Sequence, residues 1–170
     1  ERFMRSYFRI AKDVGDLTRI FCAALEEQHK KPGPTLSRLL PGFLKPRANS
    51  DDFFVENGRL SAREGLFRED PINLIRLFHV ADAKAMDIHP DTLKLVTRQL
   101  DLIGNGLRDD PAANRLFLDI LSSRRDPERA LRLMNESGVM GRFMPEFGRV
   151  VALMQFNMYH HYTVDEHLLM

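Results

Sequence analysis

Asp70-Pro71-Ile72-Asn73-Leu74-Ile75-Arg76-Leu77-Phe78 is the stretch on which the fold turns. An acid able to accept from free N–H groups precedes a proline that has no N–H to satisfy. An apolar run at helical spacing follows. The device recurs at Asp110-Pro111 and Asp126-Pro127, and His89-Pro90 opens a fourth run. Histidine is not a preferred cap, so Asp87 is the expected alternative there. These signals predict helices over 71–86, 90–103, 111–123 and 127–136. Gly138 stands where a helix-ending glycine belongs. Gly104-Asn105-Gly106, between two helices, reads as a helix terminator and not as a phosphate-cradling loop. A further short helix is expected over 145–154. Thr163-Val164-Asp165-Glu166 has the form of a capping box, so another helix should start there.

Upstream of Asp70, Phe53-Phe54-Val55-Glu56-Asn57-Gly58-Arg59-Leu60 carries Asn-Gly between apolar residues, the local signature of a type I′ hairpin. An isolated hairpin is marginal, so this one should pack on the helices. Residues 32–50 are rich in Pro and Gly and read as an irregular excursion with one short apolar stretch over 36–44. Before them, apolar residues from Phe3 to Leu25 recur at spacings of three and four, which predicts one long helix over 1–30 with Gly15 as a weak spot. The helices between the Asp-Pro starts differ in length and content, so the recurrence is not a solenoid repeat. The expected class is all-α: an irregular bundle of about six to eight helices with one small β-hairpin near 53–60.

The hydrophobic fraction of 44% suffices for a core in 170 residues, and the charged groups nearly cancel to +1. That balance, with a pI near 8.2, argues against nucleic acid or an anionic membrane as partner. No apolar run approaches the roughly 20 residues that span a bilayer. Cys22 is the single cysteine and excludes an internal disulfide, which favours a cytoplasmic setting. The chain lacks an initiator methionine and stops at Leu168-Leu169-Met170, so a piece of a longer protein is expected.

Chemistry-bearing motifs are sparse. Nucleotidyl transfer needs paired acids on a strand for two metals and a small-residue phosphate loop, and the sequence has no Asp-x-Asp pair and no Gly-Ser loop ahead of one. His29 and His79 lie in predicted helices with one carboxylate three residues away, Glu26 and Asp82, which is two ligands short of a zinc site. The plainer reading of each is a surface or satisfied histidine. Arg124, Arg125, Arg142 and Arg149 are dispersed among acids and read as a solvated face. His160-His161-Tyr162-Thr163-Val164-Asp165-Glu166-His167 is denser, but its spacing matches no helical metal motif.

The stretch from Met154 through His160-His161-Tyr162-Thr163-Val164-Asp165-Glu166-His167 closely resembles the entry into the HD hydrolase domain of bifunctional PII uridylyltransferase/uridylyl-removing enzymes. Tyr7-Phe8-Arg9 with Asp13-Val14-Gly15-Asp16-Leu17-Thr18-Arg19 is similar to the long helix after that family's nucleotidyltransferase domain. Asn57-Gly58-Arg59-Leu60, Asp70 through Phe78, Asn114-Arg115-Leu116-Phe117 and Ser137 through Phe147 resemble it too. The resemblance implies an enzyme that transfers UMP from UTP to a tyrosine of the PII signalling protein. It also implies hydrolysis of that link with Mg or Mn, and glutamine sensing by ACT domains. Residues 1–154 would be the helical region between the catalytic domains, and 155–170 the start of a truncated HD domain. Of the HD signature (a His, a His-Asp pair, a distant Asp) only the first His has a counterpart, His167, as a metal ligand. The catalytic residues are then incomplete in this chain. It should be inactive alone, with its segment after Gln155 dangling. Alternatives are the helical domain of a tRNA nucleotidyltransferase or of a glutamine synthetase adenylyltransferase, or a non-catalytic helical interaction module.

Overall fold

The computed structural model describes residues 2–29, 52–151 and 163–170. They form helices and one two-stranded antiparallel sheet, as the all-α reading with a single hairpin expects. The expected excursion over 32–50 lies outside the described residues.

Strands β1 (Phe53–Glu56) and β2 (Arg59–Ala62) pair from Phe53↔Ala62 to Glu56↔Arg59. Asn57 and Gly58 at the turn have φ of 50° and 79°, the two positive values a type I′ turn requires. The hairpin does not stand alone. Leu60 N–H donates to Asp87 O at 2.7 Å and His89 N–H donates to Leu60 O at 2.8 Å, while Phe53 and Leu60 are buried. These bonds tie β2 to the connection between two helices, α3 (Asn73–Lys84) and α4 (Pro90–Arg98). A four-residue helix, α2 (Leu66–Glu69), joins the hairpin to α3 and buries Leu66 and Phe67.

Helix α3 is the centre of the core. Leu74, Ile75, Leu77 and Phe78 are almost wholly buried, so α3 is apolar around most of its circumference. It packs against α6 (Pro111–Leu121), which contributes Ala113, Phe117 and Ile120, and α7 (Pro127–Glu136), which contributes Ala130, Leu131 and Met134. Between α4 and α6 run a 3₁₀ turn (Leu100–Leu102) and the short α5 (Asn105–Arg108). Beyond α7 come α8 (Val139–Phe143) and α9 (Pro145–Val150). Phe143 meets Phe117 with ring centroids 5.5 Å apart, which closes the core on that side.

The Asp-Pro starts divide by mechanism. Asp110 accepts from Ala112 N–H at 2.7 Å and Ala113 N–H at 3.0 Å, and Asp126 accepts from Arg129 N–H at 3.1 Å. Asp70 instead accepts from Ile72 N–H at 3.2 Å, so Pro71 and Ile72 form a turn and α3 begins at Asn73. His89 is the cap of α4: its Nδ1 accepts from Asp91 N–H at 3.2 Å. Asp87, expected in that role, pairs with Arg129. Gly104 precedes α5 and Gly106 lies inside it, so the Gly-Asn-Gly segment opens a short helix where a terminator was expected. Gly138 ends α7 with φ of 81°, as expected.

Helix α1 (Arg2–His29) is the long N-terminal helix and packs against α4. Phe3, Tyr7, Ile10, Val14, Leu17, Phe21 and Leu25 are exposed along it. The spacing that predicts a helix face is present, but that face is not part of the core.

Candidate functional site

The helix that carries His167, α10 (Val164–Leu169), begins where the Thr-x-x-Glu pattern places it. The capping box itself does not form. Thr163 is extended and its side chain makes no capping bond; the first turn is closed by His167 N–H donating to Thr163 O at 3.0 Å. Glu166, expected to reach back, turns to the Arg132 guanidinium of α7. A guanidinium offers a charged donor in place of a backbone N–H, and charge-assisted bonds are about twice as strong as neutral ones.

Contacts with α7 and α9 seat α10. Asp165 is fully buried and accepts from Asn135 Nδ2 at 3.1 Å. Arg132 bridges Glu166 and, one turn back on its own helix, Glu128 at 2.9 Å. The bonds to Glu128 and Glu166 hold the Arg132 pKa above its ordinary value. Leu169 is buried one turn beyond Asp165, and α10 packs on both α7 and α9. Residues two apart on a helix point about 200° apart. With Asp165 and Leu169 inward, His167 is therefore presented outward, and it is exposed. The expectation that the chain dangles after Gln155 is thus not met at 163–170, because the burial of Asp165 and Leu169 opposes fraying.

Asn135 is 4% exposed, and its Oδ1 has no hydrogen-bond partner among the described residues. Such a buried acceptor costs about 1–3 kcal/mol. An apolar side chain would avoid that cost but leave Asp165 without this donor. The amide is therefore explained by what it does for Asp165.

Of the other histidines, the described His79 and His89 form no metal-binding group with His167. His79 Nε2 lies 3.9 Å from Asp119 Oδ2, while Asp82 accepts from Ser123 Oγ at 2.7 Å. His89 caps α4. The side chain of His29, and His160 and His161, lie outside what is described. Among the described residues no three His, Cys, Asp or Glu side chains come together as a metal-binding group. Arg125, read as part of a solvated face, donates to Ala83 O and so satisfies the end of α3. A groove of about 390 Å³ opens between β2 and α4, lined by Ser61, His89, Thr92 and Arg98, with no residue of α7 or α10. No described helix is long and apolar enough to cross a membrane.

Residues 53–143, just over half of the chain, match the family model described as the uridylyltransferase GlnD third domain. The chain belongs to that family. No solved structure matches it. The GlnD third-domain match runs from β1 to the end of α8, so Arg132 and Asn135 lie inside it and α10 lies outside. Sequence reasoning singled out His167 but neither α7 residue. One signal was present: Asn135 falls four residues after Leu131, on the stripe that α7 buries.

The described donors at this junction do not by themselves complete a divalent-ion site. His167 offers an exposed imidazole, a good ligand for transition metals. Asp165 and Glu166 are engaged by Asn135 and Arg132. A hydrolytic site takes three or more protein ligands, so the others would come from elsewhere in the protein.

Proposed function

We propose that residues 1–154 form the helical region between the nucleotidyltransferase and HD domains of a bifunctional PII uridylyltransferase/uridylyl-removing enzyme, and that 155–170 begin the HD domain. The parent enzyme transfers UMP from UTP to PII and removes it again in response to glutamine. His167 is the first metal ligand of the removing site, which takes Mg or Mn. The bound ion supplies an activated water for phosphodiester hydrolysis. The chain's own part is to hold one imidazole at the site's edge. Its remaining helices set the distance and orientation between two catalytic domains, and it has no complete active site of its own.

The observation that carries this reading is the junction at α10. A helix bearing the one matching HD histidine is seated directly on α7, a helix of the matched third domain. The test is made in the full-length protein, with UMP transfer to PII and UMP release measured separately. His167→Ala should cut release by at least the roughly 100-fold reached on losing outer-sphere metal partners, while transfer persists. Absence of both activities, or turnover on tRNA ends, would move the assignment to another nucleotidyltransferase. Release undiminished in the variant would remove His167 from the site. The isolated chain should perform neither reaction.

A further inference from the structure

We propose that Arg132 and Asn135 of α7 are positioning residues for His167, so that the third domain holds one wall of the removing site in place. The inference rests on the reading of His167 given above and adds a dependence of the metal site on a neighbouring domain. Its grounds are geometric. Asp165 and Glu166 precede His167 directly, and each is bonded to α7, by Asn135 Nδ2 at 3.1 Å and by the Arg132 guanidinium. Asp165 and Leu169 face inward, so α10 is pinned on the side opposite its imidazole. Rotation of α10 would swing His167 and would break both polar contacts at once. An apolar seat alone would tolerate small rotations; two directional bonds from one rigid helix do not. Because α7 also packs on α3, the central core helix, the imidazole is referenced to the third-domain core through α7. Removing groups that orient a metal-ligating histidine costs about 10- to 100-fold in metal affinity. Arg132 and Asn135 act one step further out, through the backbone of α10.

The test uses the full-length protein and Mn²⁺ alone as probe. Binding is followed by electron paramagnetic resonance, and amide exchange is read over 164–169 and over α3. Arg132→Ala with Asn135→Ala should weaken by about tenfold the Mn²⁺ site that His167→Ala abolishes. It should also speed exchange over 164–169 and leave α3 protected. Unchanged affinity and exchange overturn the proposal. Should α3 also lose protection, the charge swap decides. Arg132→Glu weakens Mn²⁺ binding, and adding Glu166→Arg should recover it; no recovery overturns the proposal. If His167→Ala leaves Mn²⁺ binding intact, the assignment of His167 fails and this inference fails with it. If His167→Ala abolishes binding but the α7 variants bind as the parent does, only the inference fails.

Discussion

Gly148 offers a sharp test of how the platform under α10 is built. A Cβ at Gly148 would stand 2.6 Å from the carbonyl oxygen of Gly141 and 3.3 Å from its Cα. Close carbon–oxygen contacts run at roughly 3.3–3.6 Å, so α8 and α9 would have to part by about 0.7 Å. The obstacle is backbone, and no rotamer change relieves it. Overpacking of this kind costs about 1–3 kcal/mol. Replacing a helical glycine returns up to about 1 kcal/mol. The overlap is severe enough to set the first figure near its upper end, so Gly148→Ala should destabilise by about 1–2 kcal/mol. At roughly 2–4 °C per kcal/mol for a chain of this size, Tm falls by about 4 °C. Gly106→Ala is the control. It lies within α5 with nothing within 4 Å of the added methyl, and should stabilise by about 0.5–1 kcal/mol. Thermal unfolding of both variants by circular dichroism decides the matter. A Gly148→Ala variant as stable as the parent would refute the close approach of α8 to α9. Because α9 also packs on α10, the same substitution should raise amide exchange over 164–169.

Other substitutions probe the core, a cap and a surface pair. Leu74→Ala removes a fully buried side chain from α3 and should cost about 2–5 kcal/mol in urea unfolding; a loss under about 1 kcal/mol would contradict its place in the core. His89→Ala deletes the α4 cap and should cost about 1 kcal/mol, with His89→Asn restoring most of it, read as amide exchange over 91–93. The Lys94 ammonium, 2.9 Å from Asp91, holds that carboxyl below its ordinary range by a hydrogen bond. A depressed folded value means this contribution is present above the unfolded pKa of about 3.9 and is lost as pH falls through the lower folded one. Asp91 is exposed and Lys94 partly so, and solvent screens the pair, so only a few tenths of a kcal/mol are at stake. The parent should lose that much more stability than Lys94→Ala between about pH 5 and 3, and equal acid limbs would show the pair to be inert.

The parts of the fold legible in the sequence are those decided within a few residues. Asn57-Gly58 fixes the hairpin because two adjacent positive φ values admit few residue types. Asp110 and Asp126 mark helix starts because the cap and its N–H donors lie within three residues. Where a distant partner intervenes, the local rule fails. Asp87 is drawn to Arg129, more than forty residues on, which leaves the cap of α4 to an imidazole lone pair. Glu166 abandons the capping box for Arg132 in the same way. The stripe on α1 shows a different limit. Periodicity reveals that residues 3 to 25 share a face, but not what that face meets. Residue spacing alone did not mark His167 as a ligand; the resemblance did.

The junction between α7 and α10 shows why the missed residues matter more than the density of histidines. A cluster of imidazoles close in sequence says little about chemistry, because on a helix neighbours point in different directions. What makes one of them useful is a fixed direction, and that must come from the residues beside it. Asp165 and Glu166 are acids next to an imidazole, and by composition they read as further metal donors. Their bonds to Asn135 and Arg132 assign them the opposite role: they face the scaffold and leave His167 to face out. A buried polar pair gains little stability over a well-packed apolar one, and its better-attested use is to select one arrangement among several. At this junction the selected arrangement is the heading of α10. Replacing Asn135 and Asp165 together by leucines should therefore preserve Tm to within a few degrees while broadening the NMR signals of the His167 ring. Sharp, unshifted His167 resonances in that variant would show that apolar packing alone sets the direction, and the orienting role of the polar pair would be lost.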